Sequence, residues 1–292
     1  MQKKMAFAGS WYPATAEACK RSIIEFLAEK QGPLSGPFIG GIVPHAGWFF
    51  SGSIACRVIA SLVSDCPVDL VVLFGGHLRP SSAPFVLSHG AVQTPFGDIQ
   101  VAEQLIKDLL NDQSHKGAEP PLHILAKPPD QFADDNTLEL QYPFIRYFFP
   151  RAKIFACCVP PSEQAVKVGR AVIAAAGKQY KTIRVIGSTD MTHYGPNFGF
   201  TPSGTGPAAV EWVKHENDRS AIDALIRMEP EKIIAQGLNH QNMCCAGAAA
   251  AAVAACRANG AVCAIELDYA TSYEKSADTS FVGYSGVLYS AT

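Results

Sequence analysis

The segment VDLVVLFGGH (residues 68–77) decides the fold prediction, because a mostly apolar run, Val68–Phe74, ends there in two glycines and a histidine. Valine, leucine and phenylalanine without regular polar alternation are typical of a strand that is buried on both faces of a sheet. Runs of the same kind recur along the chain. The other predicted strands are Phe38–Val43, Lys153–Val159, Thr182–Ile186, Ala261–Leu267 and Ser280–Leu288.

Helical patterns separate most of these strands. Thr15 is placed to cap a helix that runs to about Lys30, with Ile23, Ile24 and Leu27 on one face. Strands that alternate with helices predict an α/β fold. We expect a single domain, residues 1–292, with a mainly parallel central sheet flanked by helices. The other predicted helices are Ser53–Val63, Val101–Leu110, Asn136–Phe149, Glu163–Ala176, Ala208–Met228 and Cys244–Ala258.

The composition excludes several classes of function. The 292 residues include 24 Lys and Arg against 26 Asp and Glu, so the formal net charge of −2 supplies no field for nucleic acid or anionic lipid. Nine cysteines without CxxC spacing match neither a structural zinc pattern nor a secreted disulfide framework. No secretory signal follows the N-terminal lysines, and the most apolar stretch, Ala246–Ala255, is about half of the ~20 residues that span a membrane. We therefore expect a cytoplasmic protein that has no membrane or nucleic-acid partner.

Three histidines follow predicted strands closely. His45, His77 and His193 each come shortly after a different strand. The carboxyl ends of parallel strands meet at one edge of a sheet, which is where such folds bind ligands. The sequence therefore predicts that these three side chains gather at one site.

Cys244 is a fourth candidate for this site. It follows a polar segment, Gly237–Asn242, that is predicted as a loop, and it opens the last predicted helix, where the helix macrodipole favours a thiolate. A thiolate with two imidazoles suits iron, copper or zinc and leaves positions open for water or substrate. Each residue alone has a plainer interpretation, as a loop histidine or a small buried cysteine, and we expect the latter for Cys157 and Cys158. Their expected convergence favours the metal site.

The motifs around these residues resemble those of the Memo family, which includes the bacterial proteins called AmmeMemoRadiSam system protein B. The resemblance covers nearly the whole chain. It implies a fold similar to that of class III extradiol dioxygenases, non-haem Fe(II) enzymes that open catechol-type rings. The motifs, in order, are GSWYP (9–13), PHAGWFFSG (44–52), TPFGDIQV (94–101), LELQYPF (138–144), STDMTHYG (188–195), CCAG (244–247) and SFVGYSG (280–286).

The resemblance also implies roles for individual residues. It implies metal ligation by His45, His77 and Cys244, with the cysteine standing where the dioxygenases use a carboxylate. His193 matches an acid/base histidine of the related dioxygenases, and Asp190 would be its polar partner. A thiolate ligand would shift the metal's potential, so copper is expected as an alternative to iron.

Three departures from the family pattern are expected to matter. Asp135-Asn136 stands where family members commonly show Glu-His, and asparagine cannot titrate. Cys245 replaces a common glycine and offers a vicinal thiol, as a redox partner or as a space-filling residue. Gly75-Gly76 stands where Pro-Asn is frequent, which is expected to leave room for a differently shaped ligand.

Polar and aromatic side chains near the motifs are expected to shape a substrate pocket. Trp11 and Phe49 are further candidates for an aromatic wall, although for Phe49 a place in the core is the better expectation. The predicted substrate-binding residues are Tyr12, Trp48, Asp135, Asn136, Gln141 and Tyr194.

Three functions compete on this evidence. The first is a metal-dependent oxidoreductase, with Fe(II) as the expected cofactor and Cu or Zn as alternatives, that uses dioxygen on a phenolic or other small organic substrate. The second is a non-catalytic metal- or peptide-binding adaptor or redox protein on the same scaffold. The third is a zinc-dependent hydrolase, ranked lower because Asp190 is the only carboxylate near the ligands that could act as a base.

Overall fold

The apolar runs found in the sequence form the centre of a nine-stranded sheet in a computed structural model, which describes residues 1–29, 32–112 and 122–292. In chain order the strands are β1 (Gln2–Lys3), β2 (Phe38–Val43), β3 (Leu70–Gly75), β4 (Phe85–Leu87), β5 (Ala91–Val92), β6 (Ile99–Gln100), β7 (Leu125–Lys127), β8 (Lys153–Cys158), β9 (Ile183–Ser188), β10 (His193–Tyr194), β11 (Cys263–Thr271) and β12 (Phe281–Ser290). The helices are α1 (Ala16–Ala28), α2 (Trp48–Ser61), α3 (Glu103–Asp112), α4 (Asn136–Glu139), α5 (Tyr142–Phe148), α6 (Glu163–Ala176), α7 (Pro207–Trp212), α8 (Asp218–Ile226), α9 (Pro230–His240) and α10 (Ala246–Ala258).

The large sheet is mixed, so the prediction of a mainly parallel sheet is wrong. Its strand order is β10-β12-β2-β9-β3-β8-β4-β7, with β11 also paired to β12. The central strands β2, β9, β3 and β8 are parallel, whereas β12 pairs antiparallel with β2, β10 and β11. Only a short segment with one 3-10 turn joins β11 to β12. Because a parallel pair needs a longer crossover, usually a helix, this connection forces the antiparallel arrangement.

Helices cover both faces of this sheet and give a single-domain α/β fold. A Cβ built on Gly40 would meet Cys256 of α10, whereas one on the next residue, Gly41, would meet Val58 of α2. Successive strand residues point to opposite faces, so α10 and α2 lie on opposite sides of β2. β1, β5 and β6 form a separate three-stranded sheet. No helix within the described ranges is both long enough and apolar enough to cross a membrane.

The helix predictions differ from the structure mainly at breaks within a helical pattern. The predicted helix Asn136–Phe149 divides into α4 and α5, with Pro143 in the first turn of the second helix. A π-helical segment, Val213–Asn217, interrupts the predicted helix Ala208–Met228. The polar segment Gly237–Asn242, predicted as a loop, is helical as far as His240. It forms the end of α9, which begins with Pro230 in its first turn.

α1 is capped as predicted but buries a different face. The Thr15 side chain accepts a hydrogen bond from the Ala18 N–H at 3.3 Å. Cys19, Ile23 and Phe26 are its buried residues, whereas Ile24 is 53% exposed, so the predicted face was displaced around the helix. The described part of this helix ends at Ala28, and the predicted end, Lys30, lies outside the described residues.

Candidate metal centre

The strand ends gather two of the predicted histidines beside a pair of cysteines. His45 follows β2, His77 follows β3, and their rings lie 5.1 Å apart, nearly perpendicular at 88°. One potential ligand atom from each of His45, His77, Cys244 and Cys245 lies within 4.8 Å of the others. This cluster is compact enough to surround a single ion.

His45 is buried and held on three sides. Its backbone N–H donates to Asp190 Oδ1 at 2.7 Å, and its ring Nδ1 lies 3.1 Å from Ser188 Oγ. The Asn136 side chain donates to the His45 carbonyl at 3.3 Å. Because Ser188 occupies Nδ1, the other ring nitrogen, Nε2, is the one turned toward Cys244 Sγ, 3.3 Å away.

The two glycines before His77 let β3 end against α4. Gly76 adopts a positive φ of 96° and donates its N–H to Thr137 Oγ1 at 2.7 Å. A Cβ on Gly76 would lie 2.6 Å from Cys158 Cβ, and one on Gly75 would lie 2.2 Å from Thr137 Oγ1. Neighbouring side chains therefore fill the space beside these glycines. The prediction that they leave room for another ligand shape is wrong.

Cys244 lies just before α10 and not within its first turn, as the sequence predicted. The helix begins at Ala246, with Cys245 as its N-cap residue. The backbone of Asp190 makes two hydrogen bonds with Cys244. The Asp190 N–H donates to Cys244 Sγ at 3.3 Å, and the Cys244 N–H donates to the Asp190 carbonyl at 3.2 Å. Burial alone would raise the pKa of Cys244, but the Cys245 thiol and the positive charge of His45 outweigh it and lower that pKa well below its ordinary value. Local donors and charges replace the helix dipole as the reason for a thiolate.

Asp190 also links the two imidazoles of the site. Its Oδ2 lies 3.8 Å from Nε2 of His45 and 3.8 Å from Nε2 of His193. Burial by itself would lower both imidazole pKa values, yet Asp190 and Cys244 together raise the pKa of His45 to about 9 and that of His193 to about 10. These raised pKa values favour the imidazolium form of both rings at neutral pH.

The donors present fit a thiophilic or borderline metal ion. Two imidazoles and a thiolate match the ligand types that iron, copper and zinc accept. Ser188 fixes the ring of His45 through its second nitrogen, which is the arrangement that holds ligating histidines in known sites. Nε2 of His193 is buried and has no hydrogen-bond partner in the described part of the chain, so it remains available to a bound molecule.

The two histidines of this cluster, His45 and His77, line a cavity of about 510 Å³. His193, Asp190 and Asn136 line the same cavity. Its size lies within the range of small-molecule sites. The aromatic residues that line it are Trp11, Phe49, Phe50 and Phe198.

A family model described as Memo-like protein matches residues 3–288.

The chain belongs to the Memo family.

Relatives with the same family name align along nearly all of the chain. A MEMO1 family protein of Methanothermobacter thermautotrophicus is 29% identical over 297 aligned residues, which cover 97% of this chain and 99% of the relative. A MEMO1 family protein of Thermococcus kodakarensis is 29% identical over 309 aligned residues, covering 99% of both chains. One from Thermococcus onnurineus is 28% identical, again with 99% coverage of both. The resemblance drawn from the motifs is confirmed.

The predicted substrate-binding residues of this Memo family member divide into two groups. Asn136 lines the cavity, and Asp135 caps α4 by accepting from the Thr137 N–H at 2.9 Å. The remaining four lie in core contacts behind the cavity wall, and a role in substrate binding for them stays a prediction. Tyr12 donates to Glu139, Trp48 stacks on Phe144, Gln141 donates to the Pro44 carbonyl, and Tyr194 stacks on Phe281.

The structure overturns one aromatic expectation and adds one aromatic residue that the sequence did not suggest. Phe49 is 67% exposed and lines the cavity, so its expected place in the core is wrong. The ring of Phe198, which the sequence argument missed, lies 4.9 Å from the ring of His193. The sequence offered one indication of this residue, because Phe198 stands five residues after His193 in the segment HYGPNFGF.

A second cavity of about 290 Å³ shares His193 and Phe198 with the first. Met191, Met243 and Cys244 are among its lining residues. Cys244 therefore lines this smaller cavity, whereas His45 and His77 line the larger one. Sequence reasoning also missed Ser188, although it stands at the head of the STDMTHYG motif, directly after the apolar strand residues.

Proposed function

We propose that this chain is a non-haem, metal-dependent oxidoreductase that acts on a small aromatic substrate, with a phenol as the best candidate and dioxygen as the co-substrate. The observation that carries the proposal is the 510 Å³ cavity, because its lining includes His45, His77 and His193 together with four aromatic rings. The proposed ligands are His45, through Nε2, His77 and Cys244. Iron(II) is the proposed ion, by analogy with the class III extradiol dioxygenases, whose fold we propose this chain shares.

When bound by His45, His77 and Cys244, the ion would supply Lewis-acid and redox chemistry toward dioxygen and a substrate oxygen. The remaining chemistry belongs to the chain's own side chains. Phe49, Phe50 and Trp11 form an apolar wall that orients a flat ring and displaces water from the floor of the cavity.

His193 is the proposed acid/base group. Its Nε2 makes no hydrogen bond within the described part of the chain, and its raised pKa favours the imidazolium at neutral pH, so it begins the cycle as a proton donor. Asp190 holds the imidazolium by charge and, through the backbone N–H of His45, fixes the neighbouring ligand as well. We propose that Asp190 positions His193 and does not itself exchange protons with the substrate.

Asp190 also argues against the zinc-hydrolase alternative. A hydrolase needs a carboxylate that is free to take a proton from water. Asp190 Oδ1 already accepts the His45 N–H at 2.7 Å, and Oδ2 lies between two imidazoles. It is therefore poorly placed to act as a general base.

The peptide-binding adaptor remains the second candidate function. Trp11, Phe49 and Phe198 are 42%, 67% and 45% exposed at the cavity rim. Exposed aromatic side chains of this kind are enriched at binding surfaces. We further propose a reducing, cytoplasmic location, which the nine free cysteines support.

Anaerobic loading with Fe(II), followed by metal analysis and oxygen-electrode assays on catechols and aminophenols, tests the proposal. The expected result is stoichiometric iron and substrate-dependent oxygen uptake. His45→Ala should lose the iron, and His193→Gln should keep it while losing most of the uptake. His215→Ala, at a well-exposed helical position, serves as the control. Bound iron with no uptake across the panel would favour the adaptor, and absent iron in both wild type and His45→Ala would refute the metal site.

A further inference from the structure

Cys245 is held at the edge of the site by contacts of its own. It is buried, 2% exposed, and its backbone N–H donates to Thr189 Oγ1 at 3.1 Å. Its Sγ lies 3.8 Å from the Sγ of Cys244. Close packing of the following residues fixes this position, because a Cβ on Gly247 would lie only 2.3 Å from the carbonyl carbon of Pro160.

The spacing of the two sulfurs matches that of two ligands on one tetrahedral ion. Two such ligands are separated by about 1.6 times the bond length, so metal–sulfur bonds of about 2.3 Å place the sulfurs about 3.8 Å apart. The observed Sγ–Sγ distance is 3.8 Å. A sulfur and an imidazole nitrogen should be about 3.6 Å apart on the same ion. Cys244 Sγ and His45 Nε2 lie 3.3 Å apart.

A second pair of adjacent cysteines shows that adjacency alone does not produce this arrangement. Cys157 and Cys158 are consecutive residues of β8, so their side chains point to opposite faces of the sheet. Cys158 Sγ lies 3.9 Å from Asp135, whereas Cys157 Sγ points toward the Cys158 carbonyl. Cys244 and Cys245 converge because the chain turns there, immediately before α10.

We infer that Cys245 is a fourth protein ligand to the ion held by His45, His77 and Cys244. This inference rests on the proposed metal site and extends it. Two imidazoles and two thiolates form a donor set that zinc accepts in closed, four-coordinate sites and that a six-coordinate iron accommodates with two open positions. Cys245 therefore controls how open the site is to substrate and how strongly it prefers zinc over iron(II).

The test counts sulfur ligands in the full-length chain. After anaerobic loading with cobalt(II), thiolate-to-cobalt charge-transfer absorption in the near ultraviolet reports bound thiolates. Cys245→Ser and Cys244→Ser should each halve this absorption, and the double variant should abolish it. Cys157→Ser, which changes a buried member of the other cysteine pair, should leave it unchanged.

X-ray absorption of the zinc-loaded wild type provides a measurement that needs no variant. We expect two sulfur neighbours at about 2.3 Å and two nitrogen neighbours at about 2.0–2.1 Å. Cys245→Gly, which removes the second sulfur, should weaken zinc binding by more than about tenfold and lower the zinc-to-iron preference.

The outcomes separate this inference from the proposed function. A single sulfur neighbour in the wild type, or full charge-transfer intensity in Cys245→Ser, overturns the inference and leaves a three-ligand site standing. A wild-type protein that binds neither cobalt nor zinc overturns the proposed metal site and the inference together.

Discussion

Replacing Ser188 with alanine should weaken metal binding without changing any proposed ligand. Ser188 is fully buried at the end of β9, and its hydroxyl lies 3.1 Å from Nδ1 of His45. The same oxygen is 3.5 Å from Nε2 of Gln141, which also donates to the Pro44 carbonyl. In Ser188→Ala the His45 ring loses the contact that fixes its tautomer and rotation, while Gln141 keeps its stronger partner.

The expected size of the effect follows from the role of this hydroxyl. Hydrogen-bonding partners that orient ligating histidines are worth about 10–100-fold in metal affinity. This range corresponds to about 1.4–2.7 kcal/mol of binding free energy. We expect about 30-fold, because His45 is only 2% exposed and water cannot readily replace the lost partner.

Anaerobic competition against a chromogenic chelator for cobalt(II) at neutral pH measures this change. Ser61→Ala is the matched control, because Ser61 is also buried and its hydroxyl donates to the Arg57 carbonyl and accepts from the Leu34 N–H. Both variants should lose about 1 kcal/mol of unfolding free energy, measured in urea. Only Ser188→Ala should lose metal affinity. Equal affinities in the two variants would refute the proposed orienting role.

Three further predictions concern stability. Glu139→Gln should lower the unfolding free energy by about 2–3 kcal/mol and speed proteolysis of the N-terminal segment. The reason is that the buried carboxylate accepts hydrogen bonds from two backbone N–H groups and from the Tyr12 hydroxyl. Asp218→Asn should flatten the pH dependence of the unfolding free energy. Burial raises the pKa of Asp218 to about 6, so the stabilisation by its protonated form is full below about pH 4 and is lost as pH rises through 6. The wild type should therefore lose about 3 kcal/mol of unfolding free energy over this range, and the variant should not. Gly247→Ala should cost about 1–3 kcal/mol, read as a lower melting temperature, because the new methyl would meet the carbonyl of Pro160.

Each of these predictions has a matched control. Glu231→Gln and Asp130→Asn, at exposed positions, should change the unfolding free energy by less than about 0.5 kcal/mol at any pH tested. Gly177→Ala should be neutral, because Gly177 has an ordinary helical φ of −61° and its nearest neighbour is 3.4 Å away. Parallel pH profiles for Asp218→Asn and wild type, or an unchanged melting temperature in Gly247→Ala, would contradict the reasoning.

The position of the site was predictable because buried strands are easy to recognise in a sequence. An apolar run ends where the chain leaves the sheet, so the polar residues that follow must lie at its edge. This reasoning placed His45 and His77 together. The start of α2 was predicted at Ser53, whereas the helix begins at Trp48. Gly52 lies within this helix and packs closely, since a Cβ there would lie 2.8 Å from the ring of Phe26.

The cavity wall was not predictable, because adjacent residues differ only in contacts with distant parts of the chain. Trp11 lines the cavity, whereas its neighbour Tyr12 turns inward to Glu139, 127 residues further along. Trp48 and Phe49 divide in the same way: Trp48 stacks on Phe144 at 4.1 Å, and Phe49 faces the cavity. Consecutive side chains of a helix point about 100° apart. The correct start of α2 would therefore have predicted different environments for Trp48 and Phe49.

The start of α10 has a direct chemical consequence for the site. If the helix began at Cys244, the helix dipole would explain the thiolate of Cys244. Cys245 would then be a packing residue within the first turn. With the helix beginning at Ala246, both cysteines lie in the turn before it, and the charge on Cys244 is stabilised by Asp190, His45 and the neighbouring thiol. The same turn brings the two sulfurs together, which consecutive residues on a strand cannot do. A difference of two residues in one helix boundary thus decides whether the site has three possible ligands or four.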